Sequence, residues 1–478
     1  MLKAGVAISI FGVLATSGAG ASGMQGSPSN AAIEKFARAA FDSKETPGLS
    51  VAVVRDGKIV YASGFGYADL TTKKLATAQT RYAIGSITKQ FTAVAILRLA
   101  QQQKLSIADA LAKYLPQFPN ASKTTLRELL NQTSGLHNYP IPTEHPWPLH
   151  LGAVSPALVL KYLAADKPDF APGTKYEYSN ANYAVLGAIA SKVGGQSYGT
   201  LLQTQIFGPL GMSESGYGNR AQQAAAIPYL SGANFQPQAP ISLDLYYGAG
   251  GIVSTARDLA KWDIALMSGS LLNAASMREL WARGALADGS ATEYAMGFVP
   301  TLVRGHREVW HNGFSPGAGG YCYNAIFPDD KLAIVVLSNG FAKLGTAGYE
   351  FSQTPQKLVG QIFDSYFPAP AFHAAAGEDP AITGRVKEWI GRIQTGTIDH
   401  SQLTSDMNAQ VFNTAGITRN QAAFSSLGKL ISLGYAGKQS APGITYYTYR
   451  AQFENATIRL DFAFDAAGKI AGIRPSPW

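Results

Sequence analysis

Gly85-Ser-Ile-Thr-Lys-Gln-Phe-Thr-Ala-Val-Ala-Ile-Leu-Arg-Leu99 is apolar nearly all round its helical turns, the mark of a helix enclosed on every side. It opens with an S-x-x-K, Ser86 and Lys89. A serine at a helix N-terminus has main-chain N–H groups and the positive end of the dipole beside it, which favours negative charge on an attacked carbonyl. Lys89, three residues on, projects from the same face and reaches the serine oxygen. A lysine held among apolar neighbours loses its proton near neutral pH and can serve as a base. The pattern recurs at Ser426-Leu-Gly-Lys429. That copy lacks the helix context and reads as coincidence.

Outward from this helix the periodicity changes. A helical pattern runs from about Ala31 to Phe41. Leu49-Ser-Val-Ala-Val-Val54 reads as a strand, Arg55-Asp-Gly-Lys58 as a tight turn and Ile59-Val-Tyr61 as its return. Beyond Leu99 the chain is helical and rich in loops, with breaks at Ala171-Pro-Gly173 and Gly208-Pro-Leu-Gly-Met212. Strand patterns return from Tyr294 and end at Leu332-Ala-Ile-Val-Val-Leu337. Strands from both ends enclosing a helical insertion predict an α/β (α+β) fold: an antiparallel sheet flanked by helices, plus an all-α region. Tyr366-Phe-Pro-Ala-Pro-Ala371 reads as a linker. After it, a helix near Ile382 to Gln394, alternating strands ending at Phe453 and Phe464, and a short strand Ile470-Ala-Gly-Ile473 predict a small α+β module. This module loosely resembles cystatin-like or NTF2-like domains. The expected division is a signal peptide at 1–21, a main domain at 27–370 and the module at 378–478.

The chain has 478 residues, 46% hydrophobic and 15% charged, a balance that supplies a large core and excludes a disordered chain. Its formal charge is +8, without a run of Lys/Arg interleaved with aromatics, so nucleic acid is not an expected partner. Lys3, the apolar stretch Ala4 to Ala15 and Ala19-Gly-Ala21 have the layout of a secretory signal peptide with an A-x-A cleavage site. The expected location is secreted or periplasmic, with no transmembrane segment once the signal is removed. Cys322 is the single cysteine; set in an apolar, aromatic run, it reads as a buried, inert thiol.

Two further motifs follow the S-x-x-K. Tyr178-Ser-Asn180 offers a phenol that can shuttle a proton beside a lysine, and an amide that can orient substrate or lysine. Tyr217-Gly-Asn219 repeats the spacing and reads as a surface turn. His311-Asn-Gly313 stands just before the apolar strands, where a donor on an edge strand followed by glycine leaves room for substrate. In this order and setting, S-x-x-K, Y-x-N and H-x-G make the chain resemble the serine β-lactamase and penicillin-binding-protein family, which includes class C β-lactamases, DD-peptidases, D-stereospecific aminopeptidases and esterases. Thr125–Leu136, Gly248–Leu259 and Trp310–Phe314 running into Leu337-Ser-Asn339 support the resemblance, which spans roughly Ala31 to Phe367.

The resemblance implies a β-lactamase/transpeptidase-like fold and an acyl-enzyme mechanism without a cofactor or metal. It implies Ser86 as nucleophile, Lys89 and Tyr178 as acid/base pair, and Asn180, His311, Asn312 and Gly313 as substrate-binding. The N–H groups of Ser86 and Phe314 would form the oxyanion hole. The expected partner is a small-molecule or peptide substrate, with peptidoglycan as a further candidate. His311-Asn-Gly313 stands where β-lactamases carry K-[ST]-G, so esters and amides are favoured over efficient β-lactam hydrolysis. Taken as unperturbed, His311 is expected to gain charge as pH falls and then to attract carboxylates. A penicillin- or peptidoglycan-binding receptor that is acylated without turnover would keep the same residues and is the alternative. Gly313-Phe-Ser-Pro-Gly317 also matches G-x-S-x-G, but glycines and a strand follow Ser315 where a nucleophile elbow needs a helix. The seven histidines form no H-E-x-x-H.

Overall fold

Burial at nearly every position of three strands, Gly48–Arg55, Tyr321–Phe327 and Leu332–Ser338, rather than at alternate ones, marks a sheet covered on both faces. The computed structural model describes residues 29–42, 46–138, 154–218, 225–230, 234–238, 241–314, 320–341, 344–345, 348–349, 354–368, 374–441, 443–454 and 456–477. The expected signal segment and Ser315 lie outside these residues. The main sheet is built from β1 (Gly48–Arg55), β2 (Lys58–Asp69), β3 (Lys74–Leu75), β4 (Val299–Val303), β5 (His306–Phe314), β6 (Tyr321–Phe327) and β7 (Leu332–Ser338). Their order is β3-β2-β1-β7-β6-β5-β4 and each neighbouring pair is antiparallel. β1 and β7, far apart in the chain, pair at the centre with Val51 opposite Val336.

The two-residue period sorts the side chains. Leu49, Val51, Val53, Ile334 and Val336 pack on one face with Ile33 and Ala37 of α1 (Asn30–Asp42). Leu358, Ile362 and Phe363 of the helix Thr354–Tyr366 complete that layer. Ala52, Val54, Val335, Leu337 and Cys322 face the other way, into the core shared with the helical region. Burial there pushes the Cys322 thiol up to about 12, which keeps it protonated.

That helical region surrounds α2 (Thr88–Gln101), which follows a single 3₁₀ turn, Gly85–Ile87. α2 is buried from Thr88 through Leu97. α3 (Asn180–Gly194) and α4 (Ala256–Ser268) close around it, and Trp262 stacks on Phe91 with ring centroids 4.0 Å apart. Strand pairing resumes at Val299 rather than at Tyr294. Tyr294 to Phe298 instead form an irregular buried segment, and that difference matters for the site.

The C-terminal residues form a four-stranded antiparallel meander: Leu430–Ala441, Ile444–Phe453, Thr457–Asp465 and Ile470–Pro477. They pack with the helices Pro380–Thr395 and Thr414–Ser426 around Trp389, Ile393, Tyr449, Leu460 and Phe462. The strand Leu430–Ala441 was not expected from the sequence. Two register shifts, between Leu430 and Ser432 and between Tyr435 and Gly437, break the alternation that would reveal it. Ser426 is the last residue of its helix, at the negative end of the dipole, so Ser426-Leu-Gly-Lys429 lacks the setting of the first S-x-x-K.

Glu308 on β5 is 7% exposed and points into a cavity of about 200 Å³ walled by Val303, Phe327, Val359 and Phe363. Thr301 Oγ1 donates to it at 2.7 Å, yet burial pushes the carboxyl from 4.5 up to about 7. Between those values the folded chain holds a proton that the unfolded chain has released. Stability therefore falls as pH rises through that window, by about 3 kcal/mol once Glu308 is ionised in both states. Glu308→Gln should raise the unfolding free energy at pH 8 and converge on the wild type below pH 4.5. Equal differences at both pH values in denaturant titrations would remove Glu308 from the account.

Candidate active site

Lys89 has 0% exposure, and its side chain ends among three oxygens. Its Nζ lies 3.0 Å from Ser86 Oγ, 2.8 Å from Asn180 Oδ1 and 2.8 Å from the Ala249 carbonyl. None of these partners is charged. Burial alone therefore acts on the amine and holds its pKa well below the ordinary lysine range. The Asn180 and Ala249 oxygens only accept hydrogen bonds, so they take the two N–H groups of a neutral amine. Its lone pair is then left for the Ser86 hydroxyl.

The Tyr178 hydroxyl donates to the same Ser86 oxygen at 2.8 Å, and its ring lies 4.8 Å from Lys89 Nζ. Burial raises the Tyr178 pKa above the ordinary phenol value, so the phenol keeps its proton. Burial thus acts on the two in the same sense, favouring the neutral amine of Lys89 and the protonated phenol of Tyr178. Ser86 itself is half-buried and reachable from outside.

The local sequence explains these placements. Gly85 has φ +50° and lies against β5; a Cβ there would stand 2.6 Å from both the N and O of Phe314. A Cβ on Gly313 would stand 1.9 Å from the Ile84 carbonyl. Only glycines let the strand and the serine turn approach this closely, which brings the main chain of Phe314 beside the turn carrying Ser86. Asn180 is the first residue of α3, and its N–H donates to Asn138 Oδ1 at 2.8 Å. Gln132 Oε1 accepts from the Ser179 N–H at 3.1 Å and from Asn182 Nδ2 at 2.6 Å. The stretch Thr125–Leu136 therefore braces the start of α3, after opening with a capping box between Thr125 and Glu128.

A sequence profile described as Beta-lactamase matches residues 33–353, most of the chain and all three motifs. The chain belongs to the β-lactamase family. Penicillin-binding protein 4* of Bacillus subtilis is 29% identical over 392 residues, covering 77% of this chain and 84% of its own. The D-aminopeptidase of Brucella anthropi is 29% identical over 317 residues; the match takes in 64% of this chain and 59% of that enzyme. The crystal structure of D-amino acid amidase from Ochrobactrum anthropi SV3 shares the fold, with TM-score 0.60 and 23% identity over 70% of this chain and 97% of that one. These similarities identify a serine hydrolase with the fold of the β-lactamase family.

Of the residues singled out by motif, Ser86, Lys89, Tyr178 and Asn180 converge through hydrogen bonds. His311 stands beside them, its ring centroid 6.1 Å from that of Tyr178. The Asn312 side chain does not join them. Alternation along β5 sends it to the opposite face, where Nδ2 donates to Tyr321 Oη at 2.9 Å.

The expected pH response of His311 is also corrected. The ring is 3% exposed; burial and the nearby Lys89 push it down to about 3, with its hydrogen bond to Asn312 opposing them. It stays neutral throughout pH 5 to 9. Three site residues were missed by motif reading. Asn138 and Ala249 act through position and main chain, and Tyr294 was assigned to a strand.

Gly85→Ala tests the close approach. The added methyl must push β5 away from Ser86, so hydrolysis of a small ester should fall at least ~100-fold, the scale of a lost oxyanion contact. Near-wild-type activity in the folded variant would show that the approach is incidental.

Proposed function

We propose that this chain is an exported hydrolase that cleaves ester or amide bonds of small or peptidic substrates through an acyl-enzyme on Ser86. The observation that carries the reading is the buried Lys89 amine, its pKa held well below the ordinary lysine range, which faces the Ser86 hydroxyl with its remaining hydrogen-bonding positions filled by Asn180 and Ala249. Ser86 gives its proton to Lys89 as its oxygen bonds to the acyl carbon. The carbonyl electron pair moves onto oxygen, beside the N–H groups of Ser86 and Phe314. As the leaving group departs, Tyr178 supplies its proton and is refilled by the one Lys89 accepted. Water then adds its OH to the acyl group and returns its other proton to Ser86.

The neutral His311 supplies no cation for a β-lactam carboxylate, which favours esters and amides. The D-aminopeptidase and D-amino acid amidase relatives point to amides of D-amino acids as substrates to try first. Export to the periplasm or medium is supported by Lys3, the apolar run and Ala19-Gly-Ala21. That location would put peptidoglycan peptides within reach.

A fluorophosphonate probe should label Ser86 in peptide mapping, and substrate should turn over many times per enzyme. An adduct elsewhere, or labelling that survives Ser86→Ala, would overturn the assignment; a single burst would favour the receptor. Lys89→Met and Tyr178→Phe should each cost at least ~100-fold in kcat, and the double variant little more. Mild, additive losses would make the pair structural.

A further inference from the structure

The segment Tyr294–Phe298 delivers one hydroxyl to the site. Tyr294 is 1% exposed, and its Oη lies 2.9 Å from His311 Nε2. The other ring nitrogen, Nδ1, lies 2.6 Å from the Asn312 carbonyl oxygen. A carbonyl can only accept, so Nδ1 carries the ring proton and Nε2 presents a lone pair, to which Tyr294 donates. Gln132 and Tyr183 also face the Tyr294 oxygen, and Tyr183 gives its own proton to the Leu130 carbonyl at 2.7 Å.

We propose that Tyr294 is a specificity-determining positioning residue: its hydroxyl holds His311 in the neutral Nδ1–H tautomer, so this edge of the site meets substrate without charge and disfavours a carboxylate there. This rests on the hydrolase reading above and extends it to a residue that touches no reacting atom. The groups facing His311 agree with the assignment. Lys89 lies on α2, Tyr178 in the segment before α3 and Tyr294 in the segment before β4. No carboxylate among the described residues acts on the ring to favour a cation. The exposed Glu293 beside Tyr294 acts on Tyr176 instead.

Protonating His311 would turn Nε2 into a donor and displace the phenol proton from its acceptor. The tyrosine thus makes the neutral state the paired one, and its removal favours the cation. Tyr294→Phe keeps the ring and deletes only the hydroxyl.

The test follows the histidine ring by NMR and reactivity with a pair of p-nitrophenyl esters of equal acyl length, one neutral and one ending in a carboxylate. In the wild type the His311 ring should carry its proton on Nδ1 and not titrate above pH 5, with a level ratio of the two specificity constants from pH 4.5 to 8. In Tyr294→Phe the titration should rise by at least ~1 pH unit, the scale of one lost hydrogen bond to a buried group. At pH 4.5 the cationic fraction of the ring should then rise roughly eightfold over the wild type, and the carboxylate ester should gain on the neutral one in step with it between pH 8 and 4.5. A further His311→Asn change should abolish that gain. An unmoved titration in folded Tyr294→Phe, or a level ratio there, overturns the proposal. So does a wild-type ring protonated on Nε2, a measurement that does not depend on the variant folding. Absence of hydrolysis of both esters by the wild type, with Ser86 unlabelled, would instead count against the hydrolase reading.

Discussion

A lysine sealed in the core without a carboxylate is the constraint around which the rest is arranged. An ammonium buried among neutral oxygens has a large desolvation cost, and the inexpensive response is to give up the proton. That response makes the amine a base. Every close partner of Lys89 is consistent with it: Asn180 Oδ1 and the Ala249 carbonyl accept, and Ser86 presents a hydroxyl. A carboxylate at any of those places would restore the charge and remove the base. The apolar enclosure of α2 is therefore part of the chemistry as well as of the core.

The same constraint governs the neighbours. A second cation near Lys89 would penalise both groups, and His311 stands close enough for the lysine to depress it further. Tyr178 and Tyr294 line the space with rings and hydroxyls instead of charges. Polarity in this site comes from oriented hydrogen bonds, which work strongly where water is excluded. The glycines at 85 and 313 belong to the same economy, since they let main-chain groups come where charged side chains are absent.

Much of this was legible in the chain. The central strands β1, β6 and β7 announce themselves as nearly unbroken buried runs because both faces are covered. α2 announces itself by lacking a polar face. Ser86, Lys89, Tyr178 and Asn180, which hydrogen bonds bring together, could be singled out because the proposed chemistry needs particular side chains at short, fixed spacings, two of them at helix starts. What was illegible depends on direction or on distance along the chain. Asn312 follows His311 in sequence, but a strand sends consecutive side chains to opposite faces. The Ala249 carbonyl has no side-chain signature at all. The protonation of His311 is set by its burial and by Lys89, more than two hundred positions away, so reading it as an ordinary histidine overstates its charge below neutral pH. The strand Leu430–Ala441 was hidden by bulges, which erase the one pattern that marks a strand.

The sheet joins these observations to the substrate edge. β5 carries His311 and Gly313 toward the serine and, one residue out of step, Glu308, Trp310 and Asn312 toward the helix Thr354–Tyr366. A strand so placed cannot shift its register by one residue without exchanging the two sets, which would turn Trp310 or Asn312 toward the serine and carry His311 into the outer core. That exchange would take the His311 ring from beside Lys89 and the close-packed glycine from beside Ile84. The stacking of Trp310 on Tyr323, at 5.0 Å, and the buried pairing of β6 with β7 therefore do more than fill space. They fix the register that keeps His311 and Gly313 at the site, so the surroundings of Lys89 are maintained from the opposite face of the sheet.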